Sequence, residues 1–226
     1  MTARSRTDRR TPQRGDQRRS ALLVALDELL RDNDGRLEAV NIAEISRRAG
    51  LTRSAFYFYF ENKAGAVGAA LEDIYEEVFA VNDILVGSGE PAGRIERTIR
   101  GLVDFWDRHR HLYRAVLEAR SASPAVRDIW ESERQAFIPS IAAMIEDERR
   151  TGRAPAGGDA STLADVLLLL NERLLERLTL GAELDRESYI ESVVTVWLRS
   201  IYGREPGPRP ADTTIARNHH DPAAHP

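Results

Sequence analysis

Apolar side chains in this chain recur at three- and four-residue intervals from about residue 17 to residue 203, the period of an α-helix. So continuous a pattern leaves little sequence from which a sheet could be built. Leu22, Leu26, Leu29 and Leu30 share one face of a helix predicted over 17–32. Val67, Ala70, Leu71, Ile74, Val78, Val81 and Leu85 hold the spacing along a longer helix over about 62–86, which Asn62 can cap. Further helices are predicted near 94–109, 111–120, 124–150, 161–180 and 186–203, separated by SASP, TGRAPAGGDA and GAELD. With two short helices between 41 and 60, the expected fold class is all-α, with about nine helices.

One pentapeptide departs from the pattern. Residues 56–60 read Phe-Tyr-Phe-Tyr-Phe, an alternation that by itself suggests a strand. The flanking residues point the other way. Asn41-Ile-Ala-Glu44 has the spacing of a capping box, and Ile42, Ile45 and Ala49 form a short buried stripe. Gly50 falls where a helix end needs a left-handed residue, and Thr52 can cap the next helix at once. Two short helices joined by a tight turn containing Gly make a helix-turn-helix, whose second helix enters the DNA major groove.

On a helix over 53–60, Phe56 and Phe60 are neighbours one turn apart and face inward, where a core role explains them better than DNA contact. Arg53, Ser54 and Tyr57 lie on another face, with Thr52 at its start, and can be presented to base edges. Tyr59 and Lys63 are placed to reach the phosphate backbone, with Asn41 and Arg47 as flanking contacts. The aromatics admit a second reading, core residues with hydroxyls at the rim. Convergence of the turn, the basic leader and the chain's single Lys favours DNA contact for Tyr57 and Tyr59.

Charge is distributed to match. The net charge is −4, yet the first 20 residues hold seven Arg against two Asp. Such a leader either touches nucleic acid or is merely solvated. With no cysteine there can be no disulfide framework and no thiolate metal site. Neither a secretory leader nor an apolar run long enough to span a membrane is apparent, so a soluble, cytoplasmic protein is expected. His109 and His111 sit two apart on a helix and point in different directions, while His219, His220 and His225 lie in the tail; no metal and no cofactor are expected. No nucleophile–base–orienter set stands out, so an enzyme is not expected.

The stretch NIAEISRRAGLTRSAFYFYFENKAGAVGAALEDI resembles the DNA-binding head of the TetR family of bacterial repressors, in its Ala49-Gly50-Leu51-Thr52 turn, its aromatic run and the Lys opening the fourth helix. NERLLERLTLG at 171–181 and VTVWLRSIYG at 194–203 resemble the C-terminal helices of that family's EthR branch. The chain departs from the family pattern at Ala55, where Thr is common, and at Glu61, where Pro is common. The resemblance implies an all-α homodimer that binds double-stranded operator DNA and releases it when a small hydrophobic effector fills the body.

It also implies an effector site lined by Trp106, Tyr113, Trp130, Phe137 and Trp197, to which the apolar helix adds Leu168, Asn171 and Leu175, with Asn171 as the polar anchor. These residues are open to a plainer reading as bundle core. An amide on so apolar a helix needs a partner, however, and a pocket with one polar anchor supplies it. The helices over 161–180 and 186–203 are apolar on more than one face, which suits a two-fold dimer interface. The expected organisation is a disordered basic arm over 1–16, a three-helix head over 17–63, a larger body over 64–203 and a disordered tail over 204–226. The alternative function is a helical small-molecule-binding protein without specific operator binding.

Overall fold

A computed structural model describes residues 14–181 and 185–203. Among them there is no strand. The elements are α1 (Arg14–Asp32), a 3-10 turn (Leu37–Ala39), α2 (Ile42–Arg48), α3 (Arg53–Tyr59), α4 (Lys63–Val86), α5 (Pro91–Arg108), α6 (Arg110–Ala122), α7 (Pro124–Gln135), α8 (Ile138–Arg150), α9 (Ala160–Thr179) and α10 (Arg186–Tyr202).

Three local expectations need correcting. The helix expected over 124–150 is two helices, broken at Ala136 and Phe137. Pro139 lies in the first turn of α8; it has no N–H to donate, and its ring would clash with the carbonyl four residues back, so α7 cannot run through it. The capping box at α2 is only half formed. Asn41 Oδ1 accepts from Ala43 N at 2.8 Å, but Glu44 turns away to Arg47, whose Nη2 is 2.6 Å from its carboxylate. The expected basic arm is also shorter at its inner end, because Arg14 to Asp16 belong to α1; the rest of the arm and the tail lie outside the described residues.

In the head, α1, α2 and α3 close over Leu22, Leu26, Leu30, Ile45, Phe56 and Phe60, all buried. Removing side chains of this size from water contributes about 1.5–3 kcal/mol each. Gly50 has φ +66°, the left-handed value that lets α2 stop and α3 start three residues later. Thr52 then caps α3 by accepting from Ala55 N.

The head does not hang on a linker. Val67 and Leu71 of α4 are fully buried against it, and α1 packs on both α4 and α6. α4 continues through the body, flanked by α5, α6, α7 and α8. α9 covers α8, and α10 lies along α5 and α9 at the outer side. Head and body approach closely at Gly35, φ +73°, where a Cβ would stand 2.5 Å from the His111 carbonyl oxygen.

Candidate functional site

The site of the head is the outward surface of α3. At about 100° per residue, the buried Phe56 and Phe60 fix which way each other side chain points. Arg53 and Tyr57 fall to one flank. Arg53 Nη2 donates to Tyr57 Oη at 3.1 Å and its guanidinium lies 5.6 Å from the Tyr57 ring, so the two form one exposed unit. Thr52 and Ser54 are exposed, while Tyr59 is half-buried on the opposite flank. No carboxylate belongs to α3.

Three of the expected contacts, Lys63, Arg47 and Asn41, have partners within the protein. Lys63 Nζ, expected at a phosphate, donates to the carbonyls of Leu37 at 2.7 Å, Val40 at 2.8 Å and Glu38 at 3.4 Å. An ammonium has three donors, and all three are engaged in pinning the turn before α2 to the start of α4. Arg47 is exposed but paired with Glu44, and a phosphate would have to displace that carboxylate. Asn41 is also exposed, with its oxygen committed to the α2 cap.

Sequence reasoning missed Phe58. It is 81% exposed and points almost directly away from Phe56 and Phe60, on one ridge with Ser54. Tyr59 meets it edge-on at 5.0 Å. The signal was present: once Phe56 and Phe60 are assigned to the core, the residue between them in sequence must face outward.

In the body, the eight residues expected to line one cavity divide into three groups. Trp106, Tyr113 and Trp130 bring α5, α6 and α7 together, with ring centroids 4.6, 5.4 and 6.1 Å apart. The Trp130 Nε1–H is buried and has no hydrogen-bond partner, and the Arg120 guanidinium lies 5.3 Å from the Trp130 ring. Burial pushes the Tyr113 hydroxyl well above the ordinary tyrosine range. Phe137 instead packs between α4 residues, 4.6 Å from Phe79 and 6.2 Å from Tyr75. Asn171 Oδ1 accepts from Trp197 Nε1 at 3.1 Å, with both residues buried. Leu175, one helical turn after Asn171, is buried, and Leu168 is partly buried.

Asn171 was expected to offer its amide to a ligand, yet its oxygen already satisfies Trp197. Of these eight residues, the one with a buried donor left without a partner is Trp130, at Nε1.

α6 connects this cluster to the head. It carries Tyr113 on one side, while His111 Nε2 meets Asp27 Oδ1 at 2.6 Å and Arg114 Nη1 meets Asp34 Oδ2 at 2.6 Å on the other. Farther along, Glu118 Oε2 accepts from Leu37 N at 3.0 Å. The outer faces of α9 and α10 expose Val166, Leu169 and Val196, beside a cleft of about 240 Å³ lined by Leu170, Leu174, Arg177, Tyr189 and Val193.

Among the described residues, no group of three or more His, Cys, Asp or Glu could hold a metal ion, and no helix is long and apolar enough to cross a membrane.

Comparison with known proteins gives matches at both ends. Residues 37–70 match the family described as bacterial regulatory proteins, tetR family, and residues 95–203 match the C-terminal domain of the transcriptional regulator EthR. The chain is 30% identical over 217 residues to the HTH-type transcriptional regulator EthR of Mycolicibacterium smegmatis, covering 91% of this chain and 98% of that protein. With the Mycobacterium tuberculosis EthR it shares 30% over 194 residues, 84% of this chain and 89% of that one. Among solved structures, Salmonella enterica GusR superposes with a TM-score of 0.65 at 14% identity, covering 84% of this chain and 97% of GusR. The Bacillus subtilis regulator FadR, solved in complex with stearoyl-CoA, gives 0.64 at 13% identity over 82% of this chain and 99% of FadR.

Proposed function

The chain belongs to the TetR family of bacterial regulatory proteins, with a body of the EthR type, and from that premise we propose that it is an operator-binding homodimer whose grip on DNA is set by a small, mostly apolar effector. It is a DNA-binding transcriptional regulator by family. The finer reading rests on its own residues.

The observation that carries the reading is the double role of α6. One side of this helix contributes Tyr113 to the aromatic cluster, and the other side holds α1 and the turn at Leu37 through His111, Arg114 and Glu118. An effector that parts Tyr113 from Trp106 and Trp130 must move α6, and α6 cannot move without moving the head. The head's spacing from its twin sets how α3 meets each half-site. α4, continuous from Lys63 to Val86, provides a second lever in the same direction.

In this scheme Thr52, Arg53, Ser54 and Tyr57 read base edges, and Tyr59, Asn41 and Arg47 meet the backbone. The effector lies against Trp106, Tyr113 and Trp130, with an acceptor atom on Trp130 Nε1. An apolar molecule with one acceptor suits that chemistry. Dimerisation uses the apolar outer faces of α9 and α10. The effector acts only through a preference for one head spacing; a hundredfold preference corresponds to about 2.7 kcal/mol.

A gel shift of the full chain on its own upstream DNA, repeated with apolar carbonyl compounds, tests the reading. Sequence-selective binding weakened by a compound that also quenches tryptophan fluorescence is the expected result. Fluorescence quenching without any selective DNA binding would instead favour a small-molecule-binding protein.

A further inference from the structure

We infer that Phe58 is a specificity residue that recognises the C5 methyl of a thymine in the operator's major groove. The inference rests on the operator-binding reading above and extends it to a residue and a base.

The argument begins with position. Phe58 is the most exposed large apolar side chain of the described residues, at 81%, and Tyr57 beside it is exposed as well. Both lie on the helix that the turn at Gly50 presents outward, and Phe58 occupies its crest, nearly opposite Phe56 and Phe60. Tyr59, edge-on at 5.0 Å, props the ring from one side. The crest is about one helical turn, or ~6 Å, from Ser54 to Phe58, well within a groove ~12 Å wide that admits a helix.

Charge then selects the occupant. Beside Phe58 on α3 are Ser54, Tyr57 and Tyr59, with Arg53, the one charged side chain of the helix, on the Tyr57 flank; α3 itself carries no carboxylate, and the exposed Glu61 follows its end. Arg53 is bonded to a neutral hydroxyl and not to an acid. A cationic and apolar face of this kind complements a polyanion that also displays a greasy spot.

Chemistry selects the base. A phenyl ring has neither donor nor acceptor, so it cannot use the hydrogen-bond code of the groove. The one apolar group on the major-groove edges of the four bases is the thymine methyl. Phe58 therefore discriminates T from the other bases through that methyl, while Arg53 and Ser54 supply the polar readout toward the N-terminal end of the helix.

The test uses the full chain and its footprinted upstream operator, in which each thymine is replaced in turn by deoxyuridine, removing only the methyl. One thymine per half-site is expected to matter, with the uridine duplex bound about fourfold more weakly, the factor that burying one methyl-sized group confers. Phe58→Ala should bind thymine and uridine duplexes equally and keep the wild-type melting temperature, since its ring is exposed. Phe58→Leu should retain part of the preference. If Phe58→Ala keeps the wild-type thymine-to-uridine ratio at every position, the assignment is overturned while operator binding stands. If Phe58→Ala instead changes the oligomeric state of DNA-free protein, the ring packs against a second copy and the assignment is overturned too. If the wild type binds no DNA selectively, the operator reading fails first and this one with it.

Discussion

His111 Nε2 donates to Asp27 Oδ1 across 2.6 Å, joining α6 of the body to α1 of the head. Burial pushes the Asp27 carboxyl up, but the hydrogen bond and charge of His111, with Arg31 and His109 adding to them, hold it below its usual value of 3.8. The folded protein thus binds that proton more weakly than the unfolded chain does. The resulting stabilisation is complete above the ordinary carboxylate range and is lost as pH falls through the lowered value. Asp27→Asn is expected to melt below the wild type at pH 7, with the gap closing under about pH 4. A gap of constant size from pH 7 to pH 3 would reject this account of the junction.

Two tryptophans should respond in opposite ways to loss of the indole N–H. Trp130→Phe removes a buried donor that has no partner, so the melting temperature should hold or rise, set against a modest loss of packing. Trp197→Phe leaves Asn171 Oδ1 buried without its donor and should cost about 1–3 kcal/mol. Effector binding should show the reverse order, with Trp130→Phe weakening carbonyl-bearing compounds by about 0.5–1.5 kcal/mol. Calorimetric melting and fluorescence titration of the two variants decide the matter; equal destabilisation would mean Trp130 has a partner after all.

At the far end of α4, Arg94 Nη2 and Glu148 Oε1 form an ion pair at 2.8 Å with both side chains buried, and Arg94 also donates to the carbonyls of Leu85 and Gly87. The hydrogen bond from Arg153, reinforced by Arg94, holds the Glu148 carboxyl below its ordinary range. Removing one partner strands the other charge, so Glu148→Ala should destabilise by about 3–5 kcal/mol in denaturant titration. A change under 1 kcal/mol would show that water reaches the pair.

Lys63 and Arg53 should separate cleanly in salt titrations. With its ammonium bound to three carbonyls, Lys63→Met is expected to lower the melting temperature and leave the salt dependence of operator binding unchanged. A salt slope flattened by about one unit would instead place Lys63 on a phosphate. Arg53→Ala should cost about 1–3 kcal/mol on the operator and blur base preference while the fold stays intact, because the side chain is exposed.

The all-α class, the two-helix reading motif and the long α4 were legible in the sequence, because helical period, glycine at a left-handed turn and N-cap residues are local signals. Thr52 and Asn62 cap as their types suggest, each accepting from a backbone N–H three residues on. Pro139 was equally local, and it marks the break that periodicity alone ran across. Tertiary structure decided the partners. A sequence shows that Lys63 is a lone cation but not that the carbonyls of Leu37 and Val40 converge on it from 26 and 23 residues away. It shows an amide on an apolar helix, not that its oxygen already accepts from Trp197. Hydrogen-bond satisfaction and packing depend on segments meeting in space, whereas period and capping depend only on neighbours along the chain. For that reason the sequence by itself determined which helices form, and only the fold determined which of their side chains remain free to bind something else.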